Sequence, residues 1–259
     1  MTATDRSLEA LVDGQFGAQA ATYLTSKVHA QGADLDALAA LLRGRAGDRV
    51  LDLGCGAGHV GFAVAPKVRE VVACDLSAGM LETVARAAAE RGLRNLRTQQ
   101  AVAAALPFED AAFDAVLSRY SAHHWPDLDA GLREAARVLR PGGLFAVVDA
   151  VSPGTPLCDT HLQAVELLRD PSHVRDRSRA EWEAALAAAG LAVEATAAFR
   201  VRMEFAVWVA RMRTPRVQAE AIRALQAVAP AEVRRHFAIG PDGSFDLDVA
   251  LFRAARPGA

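Results

Sequence analysis

Lysine is almost missing from this chain: Lys27 and Lys67 are the only two, and arginine carries nearly all of the positive charge. The balance of charge shows no excess of either sign, with a formal net charge of -2, so no global field draws the protein toward nucleic acid or anionic lipid. Cysteine is scarce. The three residues Cys55, Cys74 and Cys158 fit neither a disulfide framework nor a zinc knuckle. No apolar run reaches the ~18 residues that span a bilayer, which excludes membrane insertion through a helix. Residues 1–10 lack a basic stretch followed by an apolar one, so no signal peptide is expected and a cytoplasmic location fits. Repeats and low-complexity linkers are absent as well. What remains is an ordinary globular balance, 52% hydrophobic against 23% charged, in 259 residues that can bury a full core. A single domain over 1–259 is expected.

The first 45 residues read as helices, one over 18–28 and another over 34–43 with Leu35, Leu38, Leu41 and Leu42 on one face. The pattern then changes. Residues 49–53 form a short apolar strand that runs directly into Gly54-Cys55-Gly56-Ala57-Gly58, after which 59–65 resumes helical spacing. Further strands are expected at 68–74, 96–99, 113–118 and 144–149. Between them lie a helix over 78–91, with Ser77 as its N-cap and Gly92 as its end, and an amphipathic helix over 127–139 stopped by Pro141-Gly142-Gly143. The last third has a helix over 179–189, a strand over 191–201, helices through 205–237 broken at Pro215 and Pro230, and a closing strand over 244–254. Residues 205–237 read as a helical insertion that acts as a lid.

Such alternation calls for a mostly parallel sheet covered on both faces, because parallel neighbours need crossover helices. In open sheets of this kind ligands bind beyond the carboxyl ends of the strands. That rule gathers five segments onto one rim: 54–58, 75–77, 100–108, 118–125 and 151–158.

A glycine-rich turn between a strand and its helix lets backbone N–H groups approach a ligand closely. Gly56-Ala57-Gly58-His59-Val60-Gly61 matches the dinucleotide fingerprint, with Asp75 about 20 residues on as a ribose ligand, so a nicotinamide-dependent oxidoreductase is one reading. The turn begins earlier, however, in Leu51-Asp52-Leu53-Gly54-Cys55-Gly56-Ala57-Gly58.

In that form it resembles the class I S-adenosylmethionine (SAM)-dependent methyltransferases, whose acidic-x-Gly-x-Gly-x-Gly motif is matched by Asp52, Gly54, Gly56 and Gly58. The resemblance extends over roughly residues 45–150. Asp75-Leu76-Ser77 with Met80-Leu81 is similar to the family's second motif. Leu106-Pro107-Phe108, Phe113-Asp114 and 137–143 recur in the branch typified by ubiquinone and menaquinone C-methyltransferases, of methyltransferase type 11. The resemblance implies an α/β fold: a Rossmann-like, doubly wound, seven-stranded sheet, parallel except for a reversed last hairpin. It divides the chain into an N-terminal helical lid (1–45), a SAM-binding core (46–152) and acceptor-side helices with closing strands (153–259). SAM is the implied cofactor, with S-adenosylhomocysteine as product and no metal. The implied cofactor contacts are Asp52, Gly54, Cys55, Gly56, Gly58, Asp75, Leu76, Met80, Ala103 and Arg119, with Asp75 on the ribose hydroxyls. Tyr23, in the lid, is expected near the methionine end. One departure stands out: at the rim of strand three, where many members carry an acid for the adenine amino group, this chain has Val102. Packing and backbone groups, or Gln99 or Gln100, would have to hold adenine instead.

The acceptor is expected to be a small molecule. The rim after strand four reads Ser118-Arg119-Tyr120-Ser121-Ala122-His123-His124-Trp125. Adjacent side chains are expected to diverge, and no third ligand stands at suitable spacing, which argues against a metal. An unperturbed imidazole titrates near ~6.5, so His124 or His123 suits a general base; a packing role in the rim is the alternative. Tyr120, together with His173 and Arg175 from the 169–175 segment, are candidate acceptor contacts. Trp182 and Trp208 sit among apolar residues and read as core. A SAM-binding module without catalysis is a further reading. A nucleic-acid methyltransferase is disfavoured, since there is no basic extension and no Asn/Asp-Pro-Pro-aromatic tetrad after strand four. Monomer and homodimer are both open.

Overall fold

The computed structural model describes residues 7–17 and 32–258. The helix expected over 18–28, and Tyr23 within it, lie outside the described residues. Helices α1 (Leu8–Gly17) and α2 (Ala33–Ala40) precede the alternating core. That core runs β1 (Arg49–Leu53), α3 (His59–Val64), β2 (Glu70–Asp75), α4 (Ala78–Glu90), β3 (Leu96–Gln100), β4 (Phe113–Arg119), α5 (Leu128–Val138) and β5 (Leu139–Ala150). Then follow α6 (Pro156–Arg169), α7 (Arg179–Ala188), β6 (Ala192–Met203), α8 (Phe205–Arg211), α9 (Arg216–Val228), α10 (Ala231–His236) and β7 (Phe245–Ala255).

The strands form one seven-stranded sheet in the order β3-β2-β1-β4-β5-β7-β6. β1, β2, β3, β4 and β5 pair in parallel, and β7 runs antiparallel to both β5 and β6. The chain winds outward in one direction through β2 and β3 and in the other from β4, so the switch point lies between β1 and β4. β1 and β4 are buried along nearly their whole length, as expected of parallel strands covered on both faces. Alternation sorts their side chains: Val50 joins the core on one face with Leu38, Val84, Leu162 and Trp208, while Leu51 and Leu53 join the other with Leu132, Trp182 and Phe252. Both tryptophans are buried.

Local signals set the element ends. The Ser77 hydroxyl accepts the Met80 N–H at the start of α4, and Gly92 past its end has φ +69°. The α5 helix stops one residue before the expected end. Leu139 already pairs with Phe113, the chain bulges through Pro141-Gly142-Gly143, and pairing resumes at Ala115 and Leu144. Pro215 and Pro230 are the N-caps of α9 and α10, where a missing N–H costs nothing. The inserted helices are built into the core through Trp208, Ile222, Val233 and Phe237, against Leu162 and Val165 of α6. This is a packed layer in place of the expected lid, and only the α8 end reaches the rim. Among the described residues no helix is long and apolar enough to cross a membrane.

Candidate active site

The site forms where β1 ends. Gly54 and Cys55 donate their N–H groups to the Cys74 carbonyl at 2.8 and 2.9 Å, which locks the glycine turn onto β2. Asp52 accepts the Gly61 N–H in the first turn of α3 at 2.8 Å through Oδ2, where the helix dipole favours negative charge. Its Oδ1 is buried and has no hydrogen-bond partner. Burial, reinforced by the neighbouring Asp75, pushes the Asp52 carboxyl up to about 7, against the opposing Gly61 N–H. Asp75, at the end of β2, takes the N–H of Gly56 at 2.8 Å and of Ser77 at 2.9 Å. Burial raises its pKa above the usual carboxylate range, against those N–H groups. So Asp75 both pins the turn and faces the cavity above it.

Two glycines in the turn have different roles. A Cβ at Gly54 would run into the Ser121 side chain, which ties the turn to the rim of β4. A Cβ at Gly56 would meet nothing within 4 Å, because Gly56 opens onto the cavity floor.

This first cavity is lined by Gly54, Cys55, Gly56 and Ala57 of the turn, by Asp52, Asp75, Leu76 and Met80, and by Arg119, Tyr120, His124 and Trp125. The expected contact Gly58 is not in the lining, since it packs against Phe62 and Val84. Val12 and Phe16 of α1 cover it, and residues 101–104, with Val102 and Ala103 among them, form an apolar wall. Gln99 and Gln100 do not reach it. Their side-chain amides turn to the Gln100 and Leu76 carbonyls.

Arg119 lines the cavity but is anchored behind it by a buried ion pair, Nε to Asp34 Oδ2 at 2.7 Å. Its guanidinium also lies 4.7 Å from the centroid of the Tyr120 ring. Tyr120 takes the left-handed φ of +51° that tyrosine rarely adopts, held by its N–H to the Val148 carbonyl at 2.9 Å. Burial and the adjacent Asp34 drive its phenol pKa far upward, so the hydroxyl stays protonated.

The histidines do not diverge as expected. A single turn over Ala122–His124 brings the His123 and His124 rings to 4.1 Å between centroids. Nδ1 of His123 lies 2.6 Å from Asp149 Oδ1. Burial opposes its charge, but the Asp149 carboxylate, together with those of Asp176 and Glu166, raises it to about 9. His124 is pushed the other way, down to about 4, by burial and by the His123 charge. Its Nδ1 donates to the Ser172 carbonyl at 3.1 Å, which leaves Nε2 unprotonated. One of the adjacent pair is therefore a cation and the other neutral at pH 7.

A second cavity opens past His124. It is lined by His123, Glu166, Arg169, Asp170, Asp176, Trp208, Arg211, Met203 and Met212, and it meets the first at Phe16, Tyr120 and His124. Two expected acceptor contacts are absent from both linings. His173 is buried, with Nε2 on Gln163 Oε1 at 3.0 Å, and burial pushes it down to about 2. Arg175 pairs with Asp159 and Glu181 at 3.2 and 3.1 Å, an acidic grip that turns it away from the pocket. The sequence reading also missed four residues: Asp149, Asp34, Asp176 and Phe16. Only Asp149 carried a usable signal, as an acid at a strand's carboxyl end. Cys55 lines the first cavity, but all three cysteines are buried thiols, and burial raises the Cys55 pKa.

A family profile described as a methyltransferase domain matches residues 51–147. The chain is 49% identical over 197 residues to the uncharacterized protein YafE of Escherichia coli K12, covering 76% of this chain and 95% of that one. It is 40% identical over 200 residues to the uncharacterized methyltransferase YcgJ of Bacillus subtilis, covering 77% and 79%. A crystal structure of YcgJ superposes with a TM-score of 0.84 at 35% identity, over 87% of this chain and 99% of that one. These relatives decide between the two readings of the glycine turn. The chain belongs to the class I SAM-dependent methyltransferases, with a methyltransferase type 11 domain.

Proposed function

We propose that this protein binds SAM in the first cavity and transfers its methyl group to a small molecule held in the second, leaving S-adenosylhomocysteine. The observation that carries this reading is the junction of the two cavities at Phe16, Tyr120 and His124, directly beyond the carboxyl ends of β1 and β4. The residues present suit the cofactor. Asp52 Oδ1, buried without a partner, would accept from the ammonium of the methionine moiety. Asp75 keeps lone pairs for two ribose hydroxyls beyond those it spends on Gly56 and Ser77. Gly56 leaves room for a ligand against bare backbone, and residues 101–104 offer adenine an apolar wall in place of an acid.

The bound sulfonium supplies an electrophilic methyl group with a neutral thioether as leaving group. The chain's main task is then to hold the acceptor in line, which contributes roughly 7–11 kcal/mol when the geometry is right. Val12 and Phe16 of α1 cover the cavity and exclude water, which supports the N-terminal 1–45 segment as the lid. Neutral His124, with Nε2 free of a proton, stands between the cavities as proton acceptor for acceptors that must lose one. His123 is held cationic by Asp149 and serves to position that turn, not as the base.

Calorimetric titration with S-adenosylhomocysteine, followed by transfer from methyl-labelled SAM into a small-molecule extract, tests the proposal. Binding and transfer are expected. Absence of binding overturns the reading, and binding without transfer to any metabolite leaves a non-catalytic SAM-binding module.

A further inference from the structure

The wall of the second cavity holds a buried carboxyl oxygen with no hydrogen-bond partner among the described residues. Asp176 is 1% exposed, and its Oδ2 has no hydrogen-bond partner. Its backbone is clamped on both sides by one residue: Gln163 Nε2 donates to the Asp176 carbonyl at 2.7 Å, and Gln163 Oε1 accepts the Asp176 N–H at 3.1 Å. The side chain is thus fixed in the cavity wall. The nearby ring, His173 with Nε2 at 4.0 Å, is turned to Gln163 and kept neutral by burial, so it supplies no positive charge.

The neighbouring cations are engaged elsewhere. Arg169 reaches Glu166 at 3.2 Å through Nη1 and the Trp208 carbonyl at 3.2 Å through Nε. The His123 ring is held by Asp149. Asp170 has its Oδ1 filled by the N–H and hydroxyl of Ser172. Arg211 also lines the cavity, as do the apolar surfaces of Trp208, Met203 and Phe16. Among the described residues, no side chain donates a hydrogen bond to Asp176 Oδ2; the His123 and Arg169 charges act on it without bonding it.

We propose that the acceptor is recognised through a cationic nitrogen, and that the second cavity takes a small amine with its ammonium group against Asp176. The proposal rests on the methyltransferase reading for the word acceptor, but the binding chemistry stands on the cavity itself. The electrostatics agree with it. Burial and the carboxylates of Glu166 and Asp149 hold Asp176 up at about 8, against His123 and Arg169, so the acid carries its proton below that pH. An ammonium ion alongside reverses the balance and drives the proton off. The competing arrangement keeps Asp176 protonated and has it donate to a ligand oxygen. That arrangement favours alcohols or carboxylates over amines.

Calorimetry on the protein saturated with S-adenosylhomocysteine separates the two. The probes are butylamine and benzylamine, each beside its matched alcohol and carboxylate, at about pH 6.5 in two buffers of different ionisation enthalpy. At least one amine is expected to bind about 10-fold or more tightly than its alcohol and carboxylate, releasing close to one proton per site. Asp176→Asn is expected to abolish both the preference and the proton release. The proposal is overturned if no amine outbinds its matched alcohol, if no proton is released in the wild-type protein, or if the preference survives in Asp176→Asn. Binding of S-adenosylhomocysteine is measured first on the same sample. A normal value there with no amine preference removes this inference alone; its absence removes the methyltransferase reading, and the amines are then titrated into the unloaded protein.

Discussion

Asp149 holds His123 twice: Oδ1 lies 2.6 Å from the ring Nδ1, and Oδ2 accepts the backbone N–H at 3.2 Å. The turn that carries both histidines is thereby tied to the end of β5. In Asp149→Asn the imidazolium loses its main compensating charge, so the midpoint of His123 should fall from about 9, with burial opposing its charge and the carboxylates of Asp176 and Glu166 still favouring it. His124 should titrate upward from about 4, because a neutral neighbour no longer repels its proton. Histidine NMR titrations read both midpoints. Unchanged midpoints in the variant would show that the pair is not electrostatically coupled through Asp149.

The same groups give stability a defined pH profile. His123 binds its proton more tightly folded than unfolded, so its contribution is complete below about 6.5 and is lost as pH rises through about 9. That loss amounts to about 3 kcal/mol at most. Asp52 and Asp176, with folded values of about 7 and about 8, act in the same direction from about pH 4 upward. His124 and His173 oppose this on the acid side: both are depressed, so stability is lost as pH falls below 6.5. Melting temperatures should therefore peak between about pH 5 and 7 and decline toward pH 9.5. A plateau from pH 6 to 9.5 would contradict the charged state assigned to His123.

The fold was legible because its signals are local. The apolar run of β1, the glycines that follow it, the Ser77 cap and the proline breaks each act within a few residues. The carboxyl-end rule then gathered four of the five expected segments around the two cavities, since topology fixes where the strands end, while 151–158 lines neither. The side-chain chemistry of the site was less legible because its partners are remote. Asp34 and Arg119 meet across 85 positions, and nothing in either segment announces the other. His173 and Arg175 have the composition of an anion site, yet Gln163, Asp159 and Glu181 claim them. The divergence of adjacent side chains holds for regular helices and strands. It failed at Ala122–His124, where one tight turn replaces either.

The buried pair of Asp34 and Arg119 couples α2 to the wall of the cofactor cavity. Removing one partner leaves a charge in a dry site, so Asp34→Asn should cost about 3–5 kcal/mol in urea unfolding. The double replacement of Asp34 by Leu and Arg119 by Met should cost clearly less, since no buried charge is stranded. Cofactor affinity should fall more in the double variant, which removes the Arg119 guanidinium from the Tyr120 ring. If the double variant is the less stable of the two, the pair is a net source of stability and not only a positional tie.

Arg175 provides a control on the acceptor side. It lines neither cavity, and its side chain, 37% exposed, pairs with Asp159 and Glu181. Exposed pairs of this kind contribute about 0–1 kcal/mol. Arg175→Ala should therefore change unfolding free energy by no more than that and leave S-adenosylhomocysteine binding and methyl transfer within about 2-fold of wild type. A large rise in acceptor KM with unchanged stability would place Arg175 on the substrate after all.

Gly54 and Gly56 separate the architecture of the turn from its binding surface. Both have left-handed φ, +68° and +49°, where an alanine costs on the order of 1–2 kcal/mol. Gly56→Ala adds little beyond that strain, because its Cβ stands in open space, but the methyl group occupies the cavity floor. Its unfolding should be weaker by about 1–2 kcal/mol, with S-adenosylhomocysteine affinity down by at least about 10-fold. Gly54→Ala drives a Cβ into Ser121, whose hydroxyl accepts from Trp125 Nε1 at 3.1 Å, so the rim of β4 must move. That variant should lose about 3 kcal/mol or more, and Ser121→Gly in the same chain should restore part of it. The contrast between the two alanines, read by urea unfolding beside calorimetric binding, is the decisive result. If Gly56→Ala binds the nucleoside as tightly as the parent, the turn is structural and the ligand lies elsewhere.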